Sequence, residues 1–182
     1  MDTGSLSPTL TATRIRDLAR RHGFRPSQAL GQNFVVDPNT IRRIVRLAAL
    51  APGDAVLEVG AGVGSLTVAL AAQAERVVAV EIDRRLLPAL AEVVGGTSSV
   101  TVVPGDALEL DYRALLGGRP HRLVANLPYN VATPLIARVL EEVPEVADLL
   151  VMVQREVGQR LVAAPGSRTY GALSAAPGRS VS

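Results

Sequence analysis

Ala55-Val56-Leu57-Glu58-Val59-Gly60-Ala61-Gly62-Val63-Gly64-Ser65-Leu66-Thr67 runs from a short apolar stretch, through glycine at every second position, into a second apolar stretch. A mainly apolar five-residue run stopped by glycine reads as a buried strand, and the glycine-rich segment after it reads as a tight turn into a helix. Glycines there let the backbone turn sharply and let a ligand lie against it without Cβ interference. Such a turn alone is shared by many nucleotide-binding folds. Two residues narrow it. The dinucleotide fingerprint G-x-G-x-x-G requires glycine at 65, where this chain has Ser65, and the acidic Glu58 suits a ligand with a cationic amino-acid end better than a pyrophosphate.

Outward from this turn, strand and helix patterns alternate. AVLEV (55–59), RVVAVEI (76–82), SVTVV (99–103), HRLVAN (121–126) and ADLLVMVQ (147–154) read as strands. Helices are expected over Ser65–Gln73, over Arg84–Val94, from a Thr133-Pro134 cap onward, and over Arg155–Ala163, while the segment around Tyr112 reads as a loop. This alternation predicts an α/β, Rossmann-like fold: a mostly parallel sheet with helices on both faces. Upstream, Thr13–His22 reads as a helix stopped by Gly23, and Asp37-Pro38 as the start of another, with Ile41, Ile44, Val45 and Ala48 on one face. Residues 1–12 are polar and breaker-rich and are expected to be disordered. Residues 13–174 read as one domain, and AAPGRSVS (175–182) is a composition break.

Composition excludes several classes. The chain has 182 residues, enough for one domain with a real core, and 48% of them are hydrophobic. No stretch approaches the roughly 18 uncharged apolar residues of a membrane helix, and MDTGSLSPTLTATRIR lacks the basic-then-apolar order of a secretory signal. There is no cysteine, and only His22 and His121 offer imidazole, which leaves no thiolate or multi-histidine metal site. A soluble cytoplasmic protein without a metal or membrane partner is the expectation. All 19 basic residues are arginine, whose fork pairs with phosphates and stacks on bases. Net charge is only +2, so any nucleic-acid surface must be local. Arg14, Arg16, Arg20, Arg21 and Arg25, opposed only by Asp17, form such a cluster.

Three further elements carry chemistry. In Glu81-Ile82-Asp83, at the end of the second strand, a Glu81 carboxylate can accept both hydroxyls of a ribose, while Asp83 reads more simply as a helix N-cap. In Gly105-Asp106-Ala107, after the third strand, Asp106 can accept from the 6-amino group of an adenine. Asn126-Leu127-Pro128-Tyr129 closes the fourth strand. An adenine amine is a poor nucleophile because its lone pair is delocalised into the ring. Two acceptors on its N–H groups, the Asn126 amide oxygen and the Leu127 carbonyl, favour a pyramidal nitrogen. Pro128 fixes the turn, and Tyr129 can stack on an extruded base. The set points to S-adenosylmethionine as methyl donor.

With these motifs in order, the chain resembles the ribosomal RNA adenine N6-dimethyltransferases that act on small-subunit RNA. Leu30-Gly31-Gln32-Asn33-Phe34 looks like that family's N-terminal signature, followed by EVGAGVGSLT, VEID, GDAL and NLPYN, with VMVQREVGQRLVAAPGSRTYGALS (151–174) as its continuation. The resemblance implies a class I methyltransferase that dimethylates adjacent adenines in a hairpin loop of the immature small subunit, in the cytoplasm, with full-length members monomeric. Asn33, Val35, Gly60, Glu81, Asp106 and Asn126 would contact the cofactor. The five N-terminal arginines would contact RNA backbone. Past Leu173-Ser174 the family's further strands, second aromatic and helical RNA-binding domain are expected to be missing. Two other readings stand beside this one: the large-subunit, antibiotic-resistance type of adenine methyltransferase, and a module that binds cofactor or RNA without turnover.

Overall fold

A computed structural model describes residues 10–25, 37–163 and 167. The expectations for the N-terminal stretch to residue 9, for the 26–36 loop and for the 175–182 tail lie outside the described residues; disorder expected up to residue 12 does not extend to Leu10, which packs on the core, or to Thr11, which caps a helix beginning at Ala12. At the centre runs β1 (Ala55–Val59), buried at all five positions as a strand covered on both faces must be. It is flanked by β2 (Arg76–Glu81) and β4 (His121–Asn126), with β3 (Val100–Pro104) beyond β2 and β5 (Val146–Met152) beyond β4. The order is β3-β2-β1-β4-β5 and every pairing is parallel.

Period-2 alternation divides the apolar residues between two cores. Leu57, Val59, Val78, Val80, Leu123 and Ala125 face α5 (Tyr112–Leu116), α6 (Tyr129–Glu142) and Val157 of α7 (Arg155–Leu161). Val56, Val77, Ala79 and Val124 face α2 (Pro38–Ala48), α3 (Ser65–Ala71) and α4 (Leu87–Val94). On the outside of α4 sits α1 (Ala12–His22), which buries Ile15 and Leu18 against Leu86, Ala89 and Val63. At the N-terminal edge of the sheet, Arg122 donates to the Ala49 carbonyl (3.0 Å) and pairs with Asp54 and Asp148, fixing the end of α2 to the start of β4.

The helix signals upstream hold: Asp37 caps α2 by accepting from Asn39 and Thr40 N–H, and Gly23 ends α1 at φ 67°. Three elements differ from the expectation. The helix after β4 starts at Tyr129, not at Thr133. The chain leaves β4 through extended Pro128, whose carbonyl accepts from Val131 N (3.1 Å) and Ala132 N (3.0 Å), so the helix nucleates there. Pro134 then lies within α6 at an exposed position, and its missing donor costs one intrahelical bond. Asp83 is not the N-cap of α4. Its side chain accepts from Arg85 N (3.0 Å) and its carbonyl from Leu86 N (2.9 Å), making a turn that delays the helix to Leu87. The Tyr112 segment is the short helix α5, capped by Asp111 on Ala114 N and stopped by Gly117 at φ 61°. On its outer side β5 has no neighbouring strand among the described residues, and Leu149, Leu150, Val151 and Met152 are half-buried there.

Of the enclosed titratable groups, Glu58 and His121 are the most deeply buried, each 1% exposed. Glu58 points to the α3 side of β1, is 1% exposed, and its Oε2 has no hydrogen-bond partner. Burial pushes its carboxyl from 4.5 up to about 8, and nearby Glu81 adds to the shift. Thr67 sits close enough to oppose the shift, but its hydroxyl makes no well-formed hydrogen bond. His121 is equally buried, and burial moves it below its usual 6.5. The two act in opposite directions. As pH rises above 4.5, the unfolded chain releases the Glu58 proton while the folded chain keeps it, so stability falls up to about pH 8. Neutral His121 instead supports the fold above 6.5 and loses that contribution on acidification. The unliganded chain should therefore melt at a lower temperature near pH 8 than near pH 6.5. Glu58→Gln should flatten that alkaline decline in circular-dichroism melts; an unaltered slope in the variant would show that another group holds the proton.

Candidate functional site

In an all-parallel sheet the strand C-termini collect at one edge, and a crevice opens where the strand order reverses. Here that place lies between β1 and β4, and the glycine turn fills it. Gly60 N and Ala61 N both donate to the Val80 carbonyl (2.9 and 3.1 Å), folding the chain back over the end of β2. Gly60 has φ 79°, and a Cβ there would lie 3.6 Å from the Asn126 carbonyl oxygen. The end of β1 thus abuts the end of β4 backbone to backbone. Gly64, at φ 89°, is required on two counts, since a Cβ would also come within 3.0 Å of the Leu90 and Val93 side chains of α4.

Glu81 braces this turn. Only 5% exposed, its carboxylate accepts from Gly62 N through Oε2 (2.7 Å) and from Asp83 N through Oε1 (2.8 Å). Burial raises its pKa, and the two backbone donors work against that rise. Each oxygen keeps a second lone pair with which to accept a ligand hydroxyl. The Glu81 carbonyl accepts from Gly105 N (3.0 Å), which ties the β3 loop to the same edge. There Asp106 accepts from Leu108 N through Oδ1 (2.8 Å), and its carbonyl accepts from Glu109 N and Leu110 N (2.9 and 3.2 Å). Glu58, just before Gly60, is 1% exposed, so its carboxyl is enclosed in the unliganded chain. Ile82, not among the residues expected at the site, is 63% exposed beside Glu81. A large apolar residue between two acids at a strand end was the available signal.

On the other side of the crevice, Asn126 pairs with Met152 of β5, and Leu127 N donates to the Met152 carbonyl (3.0 Å). Leu127 is buried, and Pro128 leads directly into the first turn of α6 at Tyr129. Gly60, Glu81, Asp106 and Asn126, separated by up to 66 residues in sequence, therefore share one sheet edge. Asn33 and Val35 lie outside the described residues.

The arginine cluster is less free than its spacing suggested. Arg14 and Arg21 both pair with Glu92 of α4 (3.0 and 2.7 Å), as does His22 (2.7 Å), and Arg20 pairs with Asp17 (3.0 Å). These contacts, the His22 hydrogen bond first, hold the Glu92 pKa below its ordinary value. Arg16 bonds Thr13, and Arg25 is exposed. A second basic face escapes the sequence pattern: Arg42, Arg43 and Arg46 are exposed on α2, opposite its apolar stripe, and no acid pairs with them among the described residues. A cavity of about 290 Å³ lies elsewhere, between α5 and α6, and contains none of the crevice residues.

No described helix is long and apolar enough to cross a membrane. Residues 23–177 match the sequence model of the family described as ribosomal RNA adenine dimethylase. The chain is 55% identical over 175 residues to the ribosomal RNA small subunit methyltransferase A of Kineococcus radiotolerans, covering 93% of this chain and 57% of that one. To the protein of the same name from Pelotomaculum thermopropionicum it is 48% identical, covering 89% of this chain and 58% of the relative. The chain thus spans rather more than half the length of these curated relatives. Among solved structures, a dimethyladenosine transferase from Plasmodium falciparum superposes with a TM-score of 0.66 at 28% identity, covering 76% of this chain and 49% of the other. The 23S rRNA methyltransferase ErmE superposes with a TM-score of 0.64 at 34% identity, covering 70% and 50%. A parallel sheet with a glycine turn set against an Asn-Leu-Pro-Tyr turn, and a family match over most of its length, together establish that this chain belongs to the ribosomal RNA adenine dimethylase family.

Proposed function

We propose that the chain is the catalytic portion of an enzyme that transfers methyl groups from S-adenosylmethionine to N6 of adjacent adenines in a small-subunit rRNA hairpin during ribosome maturation. The observation that carries this reading is the Glu81 carboxylate bonded to Gly62 N of the β1 glycine turn, whose Gly60 stands so near β4 that a Cβ there would lie 3.6 Å from the Asn126 carbonyl. It supports a nucleoside site beside an amine-acceptor turn. The site fits the cofactor: backbone without Cβ at Gly60, a buried carboxylate with spare lone pairs at Glu81, and exposed Ile82 for a ring to rest on. In this reading Asp106 takes the cofactor's adenine amine, and Asn33 and Val35 touch the cofactor from the N-terminal side. When bound, S-adenosylmethionine supplies an electrophilic methyl group.

The protein's own contribution is alignment and electrostatics. The Asn126 amide oxygen and the Leu127 carbonyl accept the target amine's two N–H bonds and draw its lone pair out of ring conjugation. Pairing of Leu127 N with Met152 keeps that acceptor turn rigid. Pro128 holds the turn, and Tyr129 stacks on the extruded base. No lysine or histidine base takes part. Arg16 and Arg25 of the α1 segment, together with Arg42, Arg43 and Arg46 of α2, supply backbone contacts to RNA; Arg14, Arg20 and Arg21 can join only by exchanging Glu92 or Asp17 for phosphate. The ErmE likeness supports a second reading, large-subunit RNA as substrate. Greater identity to the small-subunit enzymes favours the first.

Calorimetry should show S-adenosylmethionine binding and no NAD binding; NAD alone would sink the methyltransferase reading. Glu81→Ala should weaken cofactor binding by about 1–3 kcal/mol, the worth of a buried hydrogen-bonded pair. With immature small subunits and large-subunit RNA offered in parallel, methyl transfer should go to the former. Asn126→Ala should abolish that transfer, and Tyr129→Ala should reduce it through weaker stacking, worth roughly 1–3 kcal/mol. Wild-type rates in both variants would reduce the Asn-Leu-Pro-Tyr turn to a structural element. Replacing Arg16 and Arg25 by alanine should flatten the salt dependence of RNA binding, the slope falling by roughly 0.7–0.9 for each phosphate no longer neutralised.

A further inference from the structure

Arg138 lies in the third turn of α6, outside every motif above, yet its side chain is only 25% exposed. Its guanidinium reaches across to the segment after β3. Nη2 donates to the Leu110 carbonyl (2.9 Å) and Nη1 to the Ala107 carbonyl (3.3 Å). Nε donates to Glu142 on its own helix (3.0 Å), and the guanidinium carbon stands 5.3 Å from the centroid of the Tyr112 ring. Tyr112, 3% exposed, donates its hydroxyl to that same Ala107 carbonyl (2.7 Å). Burial pushes the phenol up to about 12, so it stays a neutral donor throughout the working range.

The two carbonyls so held belong to one isolated turn, 106–110, held internally by bonds from Glu109 N and Leu110 N to the Asp106 carbonyl and from Leu108 N to Asp106 Oδ1. A single turn is too short to be stable by itself, because one or two hydrogen bonds do not offset the entropy of fixing its backbone. Arg138 and Tyr112 give it external anchors. A planar fork suits this task, since it meets two carbonyls and a ring face at once where an ammonium could not. Leu110 adds a packing constraint: a Cβ at Gly105 would come 2.9 Å from its side chain, so the loop's entry is also tight.

We propose that Arg138, with Tyr112, is a positioning residue that clamps the Asp106 loop to α6 and thereby sets the distance between the purine-reading carboxylate and the Asn126–Pro128 turn from which α6 starts. This rests on the reading of Asp106 as ligand to the cofactor's adenine. It extends that reading by naming what holds Asp106 in place and by making purine discrimination depend on a residue that touches no ligand.

The test measures affinities of the 182-residue chain for S-adenosylhomocysteine and for its 6-oxo analogue, which carries hypoxanthine in place of adenine, alongside thermal melts. Wild type should prefer the amino form by roughly tenfold or more, the worth of a hydrogen bond to a charged acceptor. Arg138→Met, which keeps length and apolar packing but removes the fork, should bring the two affinities within about threefold of each other. Arg138→Lys should restore part of the preference, and Tyr112→Phe should lose an intermediate amount. Glu81→Ala should weaken both ligands alike and leave the preference standing, which separates the clamp from general damage to the site. Should Arg138→Met fold too poorly to measure, Arg138→Lys and Tyr112→Phe carry the same comparison. Melting temperatures lowered with wild-type discrimination retained in all three variants would show that the clamp serves stability alone and overturn the proposal. A wild-type chain that binds both ligands equally would remove the purine contact itself, and the proposal with it, while leaving the glycine turn and Glu81 reading untouched.

Discussion

The Glu81 carboxylate accepts one backbone N–H from the glycine turn and another from the turn after β2, and the edge of the sheet is organised around those two bonds. A buried carboxylate is costly unless its lone pairs are met, and backbone amides meet them without side-chain entropy. Glu81 is thus held in place before any ligand arrives, at the end of β2, next to a turn whose Gly60 approaches β4. With its carbonyl also bonded to Gly105, the same residue links three of the loops that bear candidate ligands.

Preorganisation at this edge depends on rigid neighbours. The glycine turn rests on Val80 through two backbone bonds, the Asn-Leu-Pro-Tyr turn is anchored to Met152, and the Asp106 turn is gripped by Arg138 and Tyr112. Each loop is fastened by a different element. Fixed geometry of this kind suits a reaction that relies on alignment rather than on proton transfer, because the groups need not reorganise as it proceeds. The α1 arginines tell a different story. Glu92 gathers Arg14, Arg21 and His22 and secures α1 to α4, so part of the basic cluster contributes to architecture, and the outward arginines of α2 become as relevant to an anionic partner.

Much of the fold was legible because its signals are local. Five apolar runs of strand length, a glycine turn and the Asp37-Pro38 cap each need only neighbouring residues to be read. The misreadings also have local causes. Thr133-Pro134 looks like a helix start, but the helix had already begun at Tyr129, and Pro134 sits in its second turn at the cost of one intrahelical bond. Asp83 looks like a cap, yet its side chain is taken by Arg85. The α5 helix, five residues long, is too short for periodicity to reveal, although Asp111 and Gly117 mark its ends.

The sequence by itself determined the parallel α/β architecture, the order of the motifs and the residue types at the candidate site, since strand periodicity, glycine freedom and carboxylate chemistry are properties of short segments. Tertiary structure decided everything that depends on residues distant in the chain. It placed Gly60 against Asn126, enclosed Glu58, committed Arg14 and Arg21 to Glu92, and brought Arg138 across to the Asp106 loop. The physical reason is common to all four. Burial and long-range pairing are set by which surfaces meet when the sheet is assembled, and no local pattern encodes the distance between two strand ends 66 residues apart.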